Sequence, residues 1–406
     1  MENTSSATAS RPADPTQVRA SEPADLLSYI DHSLGFRPRS SCVGITRRGS
    51  TIGAMVRLDL PTVLQEGQIT PRHYAERIAG YLAQDPQATD CLVFVFKERV
   101  HPEPADAGPL TAPIGGPDTE LVEALQDVLA DRGLPLREAW LVDHGCLWHL
   151  DCPDPRVCAP HGGSVSRSDV SAVNATFIVE GSVVHSGPEA AQLPAPAERP
   201  SLALTAALER AAAGVDDPAY VADWMQRWER VLEGATGPSL QDWSRSEQVD
   251  LVAGLDLVCL RDSLLASAAF TLHRAVSGGE RIGALPQGTG ALVGCMPSDA
   301  SGLLYVSAMM ADTVRPPDWD RMDRLREACH VLLPLAAGSS ASALQCLAAW
   351  VEWCRGRGSC AGVLVDQCRA RDPYYSLAEL LEQLVDQGHL AGWAAREDIA
   401  WRRRRS

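Results

Sequence analysis

The sequence predicts a layered α/β domain with a mixed sheet, followed by a mostly α-helical domain. Up to residue 190, helical patterns alternate with short strand patterns, an order typical of α/β layers. Beyond residue 200, apolar residues recur at spacings of three and four, which indicates helices. The predicted regions are a disordered leader (1–20), an α/β domain (21–190), a Pro/Ala-rich linker (191–200), a helical domain (201–396) and a basic tail (397–406).

The first elements are a helix and a hairpin. Ser21 is the predicted N-cap of a helix to Ile30, with Pro23 in its first turn, where a missing N–H costs nothing. Alternating apolar residues predict a strand over 51–60. A glycine-containing turn joins it to a strand over 41–46.

The rest of the α/β domain continues the alternation. The run 91–96 is continuously apolar, which suits a strand covered on both faces. Ser168 or Asp169 is the predicted cap of a helix that runs to Thr176. The other predicted elements are helices over 70–83 and 118–131 and strands over 136–142, 146–150 and 181–185.

Helical periodicity dominates the second half. The segment 286–309 is ambiguous between strands and buried helix. One helix pair has the pattern of a tetratricopeptide-like hairpin, with Gly356 at the turn, Ala361 and Cys368 as small residues at the crossing, and Pro373 closing it. The predicted helices are 202–213, 218–232, 240–265, 319–335, 341–355, 360–371 and 377–387.

Charge and composition limit the function. The 406 residues carry a net charge of −16, which disfavours nucleic-acid and anionic-membrane partners outside the local patch Arg402–Arg405. No apolar window is long enough for a membrane span, and the N-terminus lacks a signal-peptide pattern. Together with Lys97 as the only lysine, this predicts a cytoplasmic protein from a GC-rich bacterial genome.

The stretch from Trp140 to Gly163 concentrates the reactive side chains in a hairpin and a proline-rich, cysteine-bearing loop (146–163). His149-x-x-Cys152 and Cys158-x-x-His161 have the paired spacing of a tetrahedral zinc site, in which Cys146 could replace a histidine. A surface loop with incidental cysteines is the competing interpretation, and we expect no other cofactor.

A nucleophilic cysteine is the second hypothesis for this loop. Cys152 lies near His149, and Asp143 or Asp151 could orient the imidazole. A reactive thiolate also needs a local positive charge, which only Arg156 supplies permanently. No phosphate-binding glycine loop, dinucleotide fingerprint or serine nucleophile elbow accompanies it.

Several stretches resemble the bacterial DUF4192 family, a family of unknown function. They are Leu34-Gly35-Phe36-Arg37-Pro38, Arg57-Leu58-Asp59-Leu60-Pro61, Trp148 with Cys152 and Cys158, Arg261-Asp262-Ser263-Leu264-Leu265, and the helical end from Leu347 to Pro373. The segment 266–316 is the least similar. The family's loop has adjacent cysteines before a proline, whereas Val157 precedes Cys158 here, and His149 and His161 are outside the family pattern.

The resemblance implies a family but no activity, substrate or catalytic residue. The missing catalytic motifs, the acidic surface and a helical module of the kind that binds partners lead us to expect a non-enzymatic protein-interaction or regulatory module with a protein partner. Fold analogy alone does not establish function. The alternative is a thiol- or zinc-dependent enzyme or redox sensor centred on the Cys/His loop.

Overall fold

A computed structural model describes residues 19–60, 70–97, 117–143, 145–150, 163–234, 239–295, 301–396 and 398–401. Most of the predicted leader, and the arginines of the predicted tail, lie outside the described residues. The chain divides into two compact units, the first ending at Val184 and the second beginning at His185. The first is an α/β structure and the second is helical, as the sequence predicts.

One mixed sheet forms the centre of the first unit. Its strands are β1 (Ser41–Arg48), β2 (Thr51–Asp59), β3 (Asp90–Phe96), β4 (Leu136–Asp143), β5 (Cys146–His149) and β6 (Gly163–Ser164). They lie in the order β2-β1-β3-β4-β5-β6. Only β3 and β4 are parallel, and the other neighbours are antiparallel. The helical crossover between β3 and β4 makes that parallel pairing possible.

Helices cover both faces of this sheet. They are α1 (Pro23–Leu34), α2 (Pro71–Leu82), α3 (Pro117–Asp131), α4 (Ser166–Asp169) and α5 (Ala172–Val179). On β3, alternate residues enter two separate cores. Cys91, Val93 and Val95 pack with α2 and α3, whereas Leu92, Phe94 and Phe96 pack with α1. The continuous apolar run is therefore covered on both faces, as predicted.

The start of α2 agrees with the prediction, and the start of α1 differs from it by one residue. Thr70 caps α2, and its side chain accepts the His73 N–H. At α1 the N-cap is Glu22 rather than Ser21, because Glu22 and Asp25 form a capping box. The Asp25 carboxylate accepts the backbone N–H groups of both Ser21 and Glu22.

The end of the first unit contains two further corrections. The predicted cap at Ser168 or Asp169 was wrong, because a single helical turn, α4, ends there and Ser171 caps α5. The predicted strand 181–185 was also wrong. Gly181 takes a left-handed conformation with φ of 82°, and its N–H bonds the Ile178 carbonyl, which closes α5 instead.

The second unit is helical throughout its described residues. Its helices are α6 (Leu202–Gly214), α7 (Pro218–Glu233), α8 (Arg245–Gly254), α9 (Val258–Ala269), α10 (Leu272–Arg281), α11 (Thr289–Leu292), α12 (Ser301–Met309), α13 (Trp319–Leu332), α14 (Ser339–Cys354), α15 (Gly358–Arg369), α16 (Ser376–Asp386) and α17 (Gly392–Ala395). The ambiguous segment 286–309 contains the helices α11 and α12.

The predicted single helix 240–265 was wrong, because the structure divides it into a short 3₁₀ turn, α8 and α9. Ser244 and Glu247 form a capping box that starts α8. Gly254 is the last residue of α8 and lies directly beside Trp224 of α7. The Trp224 indole N–H donates to the Asp250 and Leu251 carbonyls of α8. The helix start at Ser244 thus interrupts an otherwise continuous apolar pattern.

We expect Gly254→Ala to lower the free energy of unfolding by about 1–3 kcal/mol through overpacking. A Cβ at this position would lie 2.2 Å from the Trp224 Nε1 atom, so the indole would have to move. Urea unfolding followed by tryptophan fluorescence measures the change. Gly358→Ala is the matched control, since that helical glycine has open space around its Cβ position. Equal stability of the two variants would contradict the close approach.

The Pro/Ala-rich stretch 191–200 packs against the helical unit. Leu193 is buried, and its backbone N–H and carbonyl both bond the side-chain amide of Gln367 on α15. The Ala197 N–H donates to the Ala336 carbonyl. Hydrogen bonds of Leu193 and Ala197 therefore hold this stretch to the helical unit.

Trp393 on α17 is a fully buried hub of the helical unit. Its ring meets Phe270, Trp319 and Trp350 edge to face, with centroid distances of 6.1–6.2 Å. Its indole N–H donates to the Thr313 hydroxyl at 2.8 Å. The hub therefore joins α9, α13, α14 and α17.

Candidate functional site

The structure places only part of the predicted Cys/His site. Cys146 and His149 lie at the two ends of β5. The other candidates, Cys152, Cys158 and His161, lie outside the described residues.

Cys146 and His149 project from opposite faces of the sheet, because they are three residues apart on a strand. Cys146 packs with Trp148 on the side of α2 and α3. The His149 ring lies on the other side against Trp140, with a centroid distance of 4.5 Å. One ion therefore cannot take both residues as ligands. A zinc site in this region could include Cys146 or His149, but not both.

Zinc binding stays a prediction. The part of the chain that the structure describes contains no group of three or more His, Cys, Asp or Glu side chains suited to a metal ion. Burial, and then the Asp143 carboxylate, raise the pKa of the Cys146 thiol. Both effects oppose the thiolate that a nucleophile or a metal ligand needs.

A buried histidine that the sequence analysis missed lies between α1 and α5. The two ring nitrogens of His32 are each 2.8 Å from a polar side-chain atom, the Ser182 hydroxyl and the Asn174 amide oxygen. Phe177 stacks on the ring at 4.9 Å. The arrangement satisfies a buried polar ring and ties the two helices together, so we assign it a structural role.

A buried carboxylate on α14 forms ion pairs with three arginines. Glu352 accepts from Arg355 at 2.9 Å and pairs with Arg357 at 3.1 Å and Arg326 at 3.4 Å. Its side chain is 3% exposed, so its charge depends on these partners rather than on water. These contacts connect α13, α14 and the start of α15.

The outward side of α12 is an apolar stripe. Leu303, Val306 and Met310 are 76%, 50% and 46% exposed. Their spacing of three and four places them on one side of the helix and the turn that follows it. The opposite side is held in the core, where Tyr305 bonds the Ser263 hydroxyl of α9 at 3.0 Å. We call these three residues the α12 stripe.

The helix α10, which carries Arg274 and Arg281, packs against α12. The side chains of Arg281 and Ile282 lie 3.2–3.4 Å from the position that a Cβ on Gly302 would take. Burial and the nearby charge of Arg315 lower the pKa of the Arg274 guanidinium. Arg274 and Arg315 therefore lie near each other, and Arg281 lies beside the buried Gly302 of α12.

A family model described as "Domain of unknown function (DUF4192)" matches residues 23–278 and 309–390. The matched segments contain most of the chain. The protein belongs to the DUF4192 family. No curated protein and no solved structure matches the chain.

Residues of the DUF4192 motifs meet in the folded chain. Arg57, from the second strand, lies over the ring of Phe36 at 5.5 Å, so two separate motifs are in contact. Arg261 on α9 donates to the Tyr375 hydroxyl at 2.9 Å, close to the Asp372-Pro373 motif. Most of α12 lies in the segment 279–308, between the two matched segments of this DUF4192 protein.

Among the described residues of the DUF4192 protein, no helix combines the length and the apolar character that a membrane span requires.

Proposed function

We propose that this DUF4192 protein is a non-enzymatic protein-interaction module of the bacterial cytosol, and that the α12 stripe is its docking surface. The α12 stripe is the observation that carries the proposal, because it presents three large apolar side chains to solvent. A helix that is apolar all round is normally covered on both sides. Contiguous exposed apolar surface commonly marks an interaction site.

The bordering arginines specify the kind of partner. We infer a positive border for the stripe from Arg281, which lies beside Gly302 of α12, and from Arg274 on the same helix α10 with its neighbour Arg315, although the whole chain carries a net charge of −16. An acidic amphipathic helix of another protein fits this surface, with its apolar face on the stripe and carboxylates toward the arginines. The strongly negative net charge also disfavours nucleic acid as the partner.

We also infer tetratricopeptide-like packing for the α14–α15 hairpin. Gly356 has a φ of 77° at the turn, and Ala361 is fully buried where the helices meet. Cys368 and Pro373 complete the pattern. A peptide-binding superhelix needs about three or more such repeats, so one hairpin supplies no groove and docking is assigned to α12 instead.

The proposal is tested with a synthetic acidic amphipathic helix that carries leucines at spacings of three and four and glutamates beside them. Fluorescence anisotropy measures its binding to the full chain. Leu303→Glu should weaken binding at least tenfold, because it places a carboxylate in the apolar contact and faces the peptide's own acids. Added salt should weaken binding to the unchanged protein.

Leu380→Glu on α16 is the matched control, since Leu380 is another exposed leucine and lies outside the stripe. It should bind the peptide as the unchanged protein does. Equal binding by Leu303→Glu, or equal binding of a lysine-for-glutamate peptide, would contradict the proposal. If the unchanged protein dimerises as its concentration rises, and Leu303→Glu abolishes that dimerisation, the α12 stripe would instead bind a second copy of the chain.

A further inference from the structure

Two thiols touch in the core of the helical unit. Cys346 on α14 and Cys368 on α15 are both 0% exposed, and their sulfur atoms lie 3.8 Å apart. Twenty-two positions separate them in the sequence, so the packing of the two helices brings them together. Cys368 also lies 3.8 Å from the Ser342 carbonyl.

Polar and charged groups surround this thiol pair. Arg371 donates to the Ser342 hydroxyl at 3.1 Å and to the Gln345 amide oxygen at 2.7 Å. Asp372 accepts from Ser342 at 3.3 Å. From α9, Arg261 extends toward the pair and bonds Tyr375. A purely apolar packing contact would not need such an environment.

The surroundings give the two thiols different acidities. A hydrogen bond from Cys346 lowers the pKa of Cys368, and Ser342 and Arg371 add to this effect. Burial, and the donation to Cys368, raise the pKa of Cys346 well above its ordinary value. These contacts favour Cys368 as the more acidic sulfur of the pair.

We propose that Cys346 and Cys368 are a redox-active dithiol that hydrogen peroxide converts to a disulfide. The Cys368 thiolate attacks one peroxide oxygen, the O–O bond breaks, and hydroxide leaves and takes up the proton that Cys368 had lost. The Cys346 sulfur then attacks the sulfenic sulfur, the S–O bond breaks, and water leaves with the Cys346 proton. Two thiols and one peroxide give one disulfide and two waters, with two electrons passing to the peroxide.

The geometry requires only a short movement. The sulfur atoms must approach from 3.8 Å to the bond length of about 2.05 Å. Because both thiols are buried, peroxide reaches them when α15 separates locally from α14. The oxidised pair then links these two helices covalently.

Peptide mapping of the full chain tests the proposal. The protein is treated with hydrogen peroxide, unfolded in N-ethylmaleimide and digested. A linked Cys346–Cys368 peptide pair that has lost two hydrogen atoms is expected. Cys329 on α13 and Cys354 on α14, which are also buried thiols, should remain alkylated. Full alkylation of Cys346 and Cys368, or their linkage to other cysteines, would overturn the proposal.

Substitutions test the two roles. In Cys346→Ser, dimedone should trap a sulfenic acid on Cys368, whereas in Cys368→Ser the adduct on Cys346 should fall at least tenfold. Equal adducts in the two variants would overturn the assignment of Cys368 as the attacking sulfur. Cys354→Ser is the control on the same helix and should leave the disulfide yield unchanged. The mapping of the unchanged protein decides the main point even where a variant fails to fold.

Discussion

Replacing Trp393 with alanine should lower the free energy of unfolding by about 3–5 kcal/mol, enough to leave the helical unit marginally stable or unfolded. The indole is fully buried and meets three other aromatic rings edge to face. Its removal leaves a cavity that rigid neighbours from different helices cannot close. It also leaves the Thr313 hydroxyl without its indole donor.

Urea unfolding, followed by far-ultraviolet circular dichroism, measures this loss. Tyr374→Ala is the control for an aromatic truncation, because Tyr374 is 92% exposed and its loss should change stability by no more than about 0.5 kcal/mol. Similar midpoints for Trp393→Ala and Tyr374→Ala would show that Trp393 is not a hub of the core.

Replacing Glu352 with glutamine should lower the free energy of unfolding by about 3 kcal/mol. Glutamine keeps the shape of the side chain but removes the charge that compensates Arg326, Arg355 and Arg357. Arg355 keeps its ion pair with Asp323, so the loss comes mainly from Arg326 and Arg357, whose side chains are 17% and 23% exposed.

Glu327→Gln on α13 is the matched control, since this glutamate is exposed and beside Arg326 in the sequence. It should change stability by less than about 1 kcal/mol. The two variants lose the same charge, so a difference between them in urea unfolding reports the burial and the ion pairs of Glu352. If Glu352→Gln were as stable as Glu327→Gln, the buried charge cluster would have no energetic role.

Local sequence patterns predict the first five strands of the sheet, but not β6. The apolar run 91–96 has no polar position for a solvent-facing side, and the structure buries both sides of β3. Thr70 followed by Pro71 specifies its helix start through a hydrogen bond within four residues. Such features are short-range, so they are visible before the fold is known.

Contacts between distant residues explain the errors in the helical half. The close packing at Gly254 depends on Trp224, which lies thirty positions earlier. The helix α10 escaped the sequence analysis because Gly278 and Gly279 lower its helix propensity. In the fold, the side chain of Leu285 packs close to Gly279, so the glycine allows the approach.

The candidate sites show the same limitation. The Cys/His loop was a candidate site because its reactive residues are close together in the sequence. In β5, however, Cys146 and His149 lie on opposite faces of the sheet. Cys346 and Cys368 looked like ordinary core cysteines, because no local pattern shows that α14 and α15 bring them into contact. The α12 stripe was ambiguous, since an exposed apolar helix and a buried one have the same composition.

The position of Trp393 has a consequence for the order of folding during synthesis. Phe270, Trp319 and Trp350 are all translated well before the residue that fills the space between them. Until Trp393 leaves the ribosome, the nascent helical unit exposes aromatic rings that only a late segment covers. The sheet of the first unit has all its strands by Ser164 and needs no such late residue. We therefore expect the helical unit of a nascent chain to depend on chaperones for longer than the α/β unit does.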